Sequence, residues 1–296
     1  MVIHETGGPE VLRFEEVPQP EPDHGEVLVR VRVIGVNPIE WKLRSCMKAK
    51  SLPAILGSDV SGTVKRSRAE SLSEGDEVFG FVASGAYAEY ATAPAAGLAK
   101  RPAGLDDEQA AALPVAALTA WQALFDHGGL QAGQRVLIAG ASGGVGHLAI
   151  QFAKRAGAHA IGIGSGANRE FVLSLGADEF VDYREQDVAS AVGDVDLAFD
   201  TVGGATTLAM LETVRDGGSL VTIANDAPEE QARQRGIDAR HVVMSRDAEQ
   251  LAEIGVLVAS GEVRVEIART LPFEEVRRAH ELSEAGHTRG KILLRV

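Results

Sequence analysis

The segment Val27-Leu28-Val29-Arg30-Val31-Arg32-Val33 alternates apolar and polar positions. That period of two is the signature of a half-buried strand. Residues 59–64 and 76–81 repeat the texture as shorter strands around a turn, and Gly and Pro punctuate the runs between them. Together they predict that residues 1 to about 107 form a compact, mostly antiparallel barrel or sandwich. The pattern changes near Asp106. Asp106-Asp107-Glu108-Gln109 runs into Ala110-Ala111-Ala112-Leu113, a helix start with its acids at the positive end of the dipole.

Beyond that point strands and helices alternate. Arg135-Val136-Leu137-Ile138-Ala139 predicts a strand and 147–156 a helix; 158–163 predicts a second strand and 169–175 a second helix. Apolar runs at 180–181, 197–200 and 219–223 continue the series. Repeated βαβ units imply a parallel sheet covered by helices on both faces. The tail, with 264–267 and 291–296, returns to strand texture and is expected to pack back onto the first half. The expected division is 1–107 with 262–296 as one domain and 108–261 as the other.

Composition narrows the function. The 296 residues carry a net charge of −13, which argues against a nucleic-acid partner, since a phosphate backbone is bound through Lys and Arg. No stretch approaches 18 consecutive apolar residues, so no membrane span is expected. Cys46 is the single cysteine, and the first residues lack a basic segment followed by an apolar run. A cytoplasmic location is the expectation from both.

The feature that carries chemistry is Gly140-Ala141-Ser142-Gly143-Gly144-Val145-Gly146, between a strand and an amphipathic helix. Strand, tight glycine turn and helix N-terminus make a cradle for a dinucleotide pyrophosphate. Gly143 lets backbone approach the phosphates, Gly146 lets the helix pack close, and Ala141 stands where a first glycine is usual. An NAD site places a carboxylate about 20 residues further on to hold the ribose. Here Ile163-Gly164-Ser165-Gly166-Ala167-Asn168-Arg169 has none before Glu170. Ser165, Asn168 and Arg169 suit a 2′-phosphate instead, with Arg169 a charge-assisted donor, so NADPH is the expected cofactor. The plain alternative for Arg169 is a solvated helix residue.

With these motifs the chain resembles the zinc-free quinone oxidoreductase (zeta-crystallin-like) branch of the medium-chain dehydrogenase/reductase superfamily. The likeness runs in order through Gly7-Gly8-Pro9-Glu10-Val11-Leu12, Gly35-Val36-Asn37-Pro38, Leu56-Gly57-Ser58-Asp59, Ala112-Leu113-Pro114 and Leu118-Thr119-Ala120-Trp121. It continues through the glycine loop, Leu175-Gly176-Ala177-Asp178, Phe199-Asp200-Thr201-Val202-Gly203-Gly204 and Arg289-Gly290-Lys291. The resemblance implies an α/β protein: a GroES-like, mostly-β catalytic domain plus a doubly wound parallel Rossmann domain, with the active site in the cleft and homodimer formation. It implies cofactor contacts at Thr119, at Ser142 to Gly146, at Tyr183 beside the adenosine, at Val202, Gly203, Ile223 and Ala224 along the ribose and nicotinamide, and at Arg289. Without the resemblance, Thr119 and Tyr183 read equally as ordinary core or turn residues.

Zinc members of this superfamily place a Cys after the Gly-Val step and a His-Glu pair on the Gly-x-Gly strand. This chain has Asn37 and Ser58-Asp59 there, so no metal is expected. Hydride addition to a simple ketone builds an alkoxide that zinc would stabilise. A quinone or the β-carbon of an enone yields a phenolate or enolate, and a phenol's pKa of roughly 10 means a few hydrogen bonds suffice. A small-molecule quinone or enone is therefore the expected substrate. Asn37, holding the nicotinamide ribose or the substrate oxygen, and Lys42, as oxyanion support or proton donor after desolvation lowers its pKa, are the expected catalytic residues. The bland reading of Lys42 is a surface lysine beside Trp41, and Glu40 is assigned no role. Enoyl-thioester reduction and non-catalytic NADPH binding, as a sensor or structural protein, are the alternatives.

Overall fold

The computed structural model describes residues 1–82 and 85–296. The chain divides into two compact units, residues 1–115 with 246–296 and residues 116–245.

In the first unit Glu26–Val36 is the central strand. It pairs antiparallel with Asp59–Ser67, Tyr90–Pro94 and Lys291–Arg295. Glu77–Phe81 and Leu98–Lys100 extend the sheet on one side, and Ile267–Pro272 closes the other, parallel to Lys291–Arg295. The tail therefore returns to the first half, with Leu294 opposite Ile34. The predicted alternation holds at Arg30, which is exposed, and Arg32, which is half-buried. Leu28 and Val29 are both buried, so this strand is covered on two faces rather than one. Its core gathers Val27, Val29, Ile34, Val60, Val78, Tyr87 and Leu294.

The second unit is one six-stranded parallel sheet. Its strands are β1 (Arg135–Ala139), β2 (His159–Gly164), β3 (Glu179–Asp182), β4 (Val195–Asp200), β5 (Val214–Thr222) and β6 (Asp238–His241). The spatial order is β3-β2-β1-β4-β5-β6, the doubly wound arrangement whose direction reverses between β1 and β4. Ligands bind such sheets outside the carboxyl ends of the strands at that reversal. β1 begins and ends where its apolar run predicts, and the helix Gly146–Arg155 begins one residue earlier than expected. β6 was not anticipated, because Asp238-Ala239-Arg240-His241 has no apolar run; as an edge strand it packs only Ala239 into the core.

The unit joints lie away from the 107/108 and 261/262 divisions expected from sequence. Asp106 caps the helix Asp107–Ala112 by accepting from the Gln109 amide at 2.7 Å. Asp107 at its start accepts from Ser61 and Arg32 of the first sheet. Those polar ties hold 108–115 to the first unit. At the other joint the helix Ala248–Ala259 lays Gly255 against Phe79, so close that a Cβ would stand 2.8 Å from the ring.

Candidate active site

Each strand of the parallel sheet from β1 to β5 delivers a sequence-predicted residue at its carboxyl end. The loop 140–146 follows β1, Ser165 follows β2 and Tyr183 follows β3. Val202 and Gly203 follow β4; Ile223 and Ala224 follow β5. The fold thus brings one row of expected cofactor residues to one edge. Thr119 sits in the helix Pro114–Trp121 and is buried. Asn37, Lys42 and Arg289 belong to the first unit.

The loop geometry follows from its glycines. Gly140 has φ +65°, the left-handed conformation that favours glycine. A Cβ on Gly146 would lie 2.2 Å from the Gly140 carbonyl oxygen, so the helix can approach the turn only with glycine there. Ala141, expected as a variant of the usual first glycine, is fully buried and hands its N–H to the Ile163 carbonyl of β2 at 3.0 Å. Its methyl is therefore accommodated, and the special conformation falls on Gly140 instead. The N-cap residue of the helix is Val145, whose apolar side chain offers no cap. Within the first turn the His147 N–H donates to the Gly143 carbonyl at 3.1 Å and the Leu148 N–H to the Val145 carbonyl at 3.2 Å, so it is the loop and the first helical residue, Gly146, whose N–H groups suit an anion.

At the ends of β2 and β3, Asn168 donates its side-chain amide to Ser165 Oγ at 3.2 Å. The Arg169 guanidinium lies 5.6 Å over the Phe180 ring and donates to the Phe180 carbonyl at 3.4 Å. Tyr183 is half exposed, with the Arg184 guanidinium 5.7 Å from its ring centre. Sequence spacing gave no carboxylate here, yet Asp182 arrives from β3. Its Oδ2 lies where a Gly166 Cβ would be only 2.3 Å away. Nothing local in the sequence signals this, because the parallel pairing of Asp182 with Gly164 creates the contact.

In the first unit the expected Asn37 anchors a buried polar cluster. It caps the helix Pro38–Cys46, and its backbone N–H donates to Glu40 Oε2 at 2.5 Å. Its side-chain Nδ2 donates to Asp59 Oδ2 at 3.0 Å and to Glu40 Oε1 at 3.3 Å. Lys291 Nζ donates to Asn37 Oδ1 and to the Val36 carbonyl, and stands 3.8 Å from Asp59 Oδ2. Both amide hydrogens of Asn37 are thus directed within the cluster. The Asn37 amide, expected to hold the nicotinamide ribose or the substrate oxygen, directs its N–H groups at Glu40 and Asp59 in this structure.

Burial dominates the electrostatics of this cluster. The Glu40 carboxyl is pushed up to about 7, by burial first and then by the neighbouring Asp59. Burial also raises Asp59 and lowers Lys291, outweighing their mutual attraction. Neither Glu40 nor Lys291 was assigned a role from sequence. The available signal was a lysine opening Lys291-Ile292-Leu293-Leu294, a run otherwise apolar, which demands a buried partner. Lys42, by contrast, is exposed, with Nζ 5.7 Å from the Trp41 ring centre. The desolvation expected for Lys42 is found at Lys291. These residues do not fit a zinc ion: an amide and the Ser58 hydroxyl are poor donors for it, and the Lys291 ammonium bonds the Asn37 oxygen beside Asp59.

A second buried group gives a measurable pH dependence. Arg44 can only donate, so His280 Nδ1 accepts from it at 2.9 Å, and Nε2–H donates to the Tyr87 hydroxyl at 2.9 Å. Burial, then Arg44, lowers His280 to about 4. Between pH 6.5 and 4 the unfolded chain binds a proton that the folded chain refuses, so stability falls as pH falls, by about 3 kcal/mol in total. Glu40 acts oppositely. From its unfolded value of 4.5 up to about 7 the folded chain keeps a proton that the unfolded chain releases, so stability falls as pH rises. In wild type the two slopes offset between pH 4.5 and 6.5. Urea denaturation of His280→Gln should expose the Glu40 slope, with stability declining from pH 4.5 to 7. An unchanged pH profile would remove the assigned protonation of His280.

Fold and strand-end site define a class: a nucleotide-binding parallel α/β unit joined to an antiparallel β unit. Residues 23–103 match the family model of the alcohol dehydrogenase GroES-like domain, and residues 175–294 match that of zinc-binding dehydrogenases. The mouse mitochondrial NAD(P)H oxidoreductase RTN4IP1 is 33% identical over 100% of this chain and 88% of its own length. The quinone oxidoreductase structure from Coxiella burnetii superposes with a TM-score of 0.95 at 34% identity, covering 100% of this chain and 98% of that one. The Escherichia coli quinone oxidoreductase complexed with NADPH gives 0.91 at 30%, over 100% and 99%. The chain belongs to the medium-chain dehydrogenase/reductase superfamily, with its GroES-like and Rossmann domains, and fits the quinone oxidoreductase branch. It is an oxidoreductase. Among the described residues, no helix is long and apolar enough to cross a membrane.

Proposed function

We propose that the chain is an NADPH-dependent, zinc-independent reductase of quinones and of α,β-unsaturated carbonyl compounds. The observation that carries this reading is the loop 140–146, where Gly146 abuts the Gly140 carbonyl and opens an uncapped helix at the reversal of a doubly wound sheet. The relatives that are quinone oxidoreductases, one of them complexed with NADPH, support the same reading.

NADPH, when bound, supplies a hydride. Ser142 to Gly146 hold its pyrophosphate by backbone N–H groups. Ser165, Asn168, Arg169 and Tyr183 take the 2′-phosphate and adenosine, with Arg169 already oriented on Phe180. Val202, Gly203, Ile223 and Ala224 take the second half, with Thr119 and Arg289 as further contacts. Asn37 accepts a hydrogen bond through Oδ1. A quinone that takes the hydride leaves a phenolate and collects one proton; an enone leaves an enolate and is protonated at the α-carbon. Lys42, exposed on the helix Pro38–Cys46, is the proposed proton donor. Zinc independence rests on the Lys291–Asn37–Asp59 arrangement, whose donor chemistry suits an ammonium rather than a metal.

One observation favours NADH as a second reading: the Asp182 carboxylate against Gly166, which resembles a ribose-hydroxyl acceptor. Arg169→Ala separates the two. It should raise the KM for NADPH about tenfold or more, the value of a charge-assisted hydrogen bond, and leave that for NADH nearly unchanged. Equal effects on both cofactors would favour NADH. Hydride transfer is tested with NADPH deuterated at nicotinamide C4 and a cyclic enone. Deuterium should appear at the β-carbon of the saturated product; deuterium released only to solvent would count against direct transfer.

A further inference from the structure

The Asp200 carboxylate is wholly buried at the end of β4. Oδ1 accepts the backbone N–H groups of Val202 at 2.8 Å and Gly203 at 3.0 Å. Oδ2 accepts the hydroxyls of Thr207 at 2.6 Å and Thr222 at 3.0 Å. A carboxylate offers about four lone-pair sites, and all four face donors. The Thr222 hydroxyl in turn accepts the Ala224 N–H at 3.2 Å, and the Asp200 carbonyl accepts the Ile223 N–H at 3.1 Å. Gly204 N–H closes the frame on Asn225 Oδ1 at 3.0 Å. One side chain thereby fixes the turn after β4 and, through Thr222, the turn after β5.

These two turns lie on the far side of the chain reversal from β2 and β3. A doubly wound sheet binds a dinucleotide across that reversal, one mononucleotide half on each side. The adenosine residues Ser165, Asn168 and Arg169 follow β2, so the β4 and β5 turns serve the other half. We propose that Asp200 is a positioning residue for the nicotinamide half of the cofactor, setting the Val202-Gly203 and Ile223-Ala224 turns in register while leaving the adenosine half untouched. This rests on the reading of the chain as an NADPH-dependent reductase. Asp200→Asn removes the charge and turns one acceptor atom into an NH₂ that faces the Thr207 and Thr222 hydroxyls. All four bonds lose their charge assistance, and the Thr207 and Thr222 hydroxyls must reverse to accept from the NH₂, which disturbs the Thr222 link to the Ala224 N–H.

The test uses the full chain and two probes, NADPH and adenosine 2′,5′-bisphosphate, by calorimetric titration alongside steady-state kinetics. Asp200→Asn should bind the bisphosphate within about twofold of wild type, weaken NADPH about tenfold or more and lower kcat as well, the scale of one or two lost bonds. Thr222→Val, which deletes only the bridging hydroxyl, should weaken NADPH about threefold, and Thr222→Ser should recover most of that loss. If Asp200→Asn does not fold, the Thr222 pair decides by the same comparison. Equal weakening of both probes would make Asp200 a fold brace, and no change in either would make it inert; both overturn the proposal. A wild type that binds both probes but reduces neither quinone nor enone would sink the reductase reading alone, leaving the Asp200 comparison to be judged on binding. A wild type that binds neither would overturn both.

Discussion

Gly146→Ala is expected to weaken NADPH binding at least about 100-fold. The added methyl at 146 would stand 2.2 Å from the Gly140 oxygen, 2.8 Å from the Gly140 carbonyl carbon and 2.9 Å from Ala141 Cα. All three are backbone atoms, so no side chain can rotate away. The helix Gly146–Arg155 must retreat from the turn, and the N–H groups of Gly146 and the adjoining loop shift with it. Each charge-assisted bond to the pyrophosphate is worth about 1.5–3 kcal/mol. Losing two gives about 3–6 kcal/mol, or roughly 10² to 10⁴ in affinity. At Gly143 the methyl meets only the Gly140 oxygen, at 3.2 Å, so Gly143→Ala leaves the helix in place and acts through the methyl's own approach to the phosphates. Titration of both variants by nucleotide fluorescence checks this. Gly146→Ala binding within threefold of wild type would mean that the loop does not hold the pyrophosphate.

Lys291→Met is expected to cost about 3–5 kcal/mol of folding stability, the range for removing one partner of a buried ion pair. Without the ammonium, Asp59 and Glu40 share a buried site with Asn37, and the groups restraining their charge are the Asn37 and Ser58 donors and the Val115 N–H. The opposing Lys291 charge that now holds Glu40 down is lost, so its carboxyl rises above about 7. Adding Asp59→Asn should recover part of the loss by removing the stranded charge, a non-additivity that separates electrostatics from packing. Equilibrium urea denaturation of the two single variants and the double measures it. A loss below about 1 kcal/mol for Lys291→Met, on the scale of an exposed pair, would show that the cluster is not a buried charge network.

What was legible in the sequence is what is encoded locally. β1, its glycine turn and the following helix occupy a few tens of consecutive residues, and their apolar period and glycines mark them directly. Ser165 was read from its spacing after β2, whereas Tyr183, Val202 and Ile223 were expected from the family resemblance alone; each follows a strand, and parallel strands put their carboxyl ends on one edge. What was not legible is what distant segments make together. Lys291 and Asn37 lie 254 positions apart, and His280 and Arg44 lie 236 apart. No periodicity reports such a meeting. The saturation of the Asn37 amide, the approach of Asp182 to Gly166 and the exposure of Lys42 likewise depend on tertiary placement. Asp200 was visible only as one letter of a motif; its role lies in the four donors the fold turns toward it.

The measurement that bears most directly on the central claim is NADPH oxidation by the purified chain against a quinone, a cyclic enone and a saturated ketone, each with and without a metal chelator. Turnover of the quinone or the enone that chelator leaves unchanged is expected, and none of the ketone. Turnover of the ketone abolished by chelator would contradict the claim, because a metal would then be stabilising the alkoxide at a site that this reading assigns to a lysine.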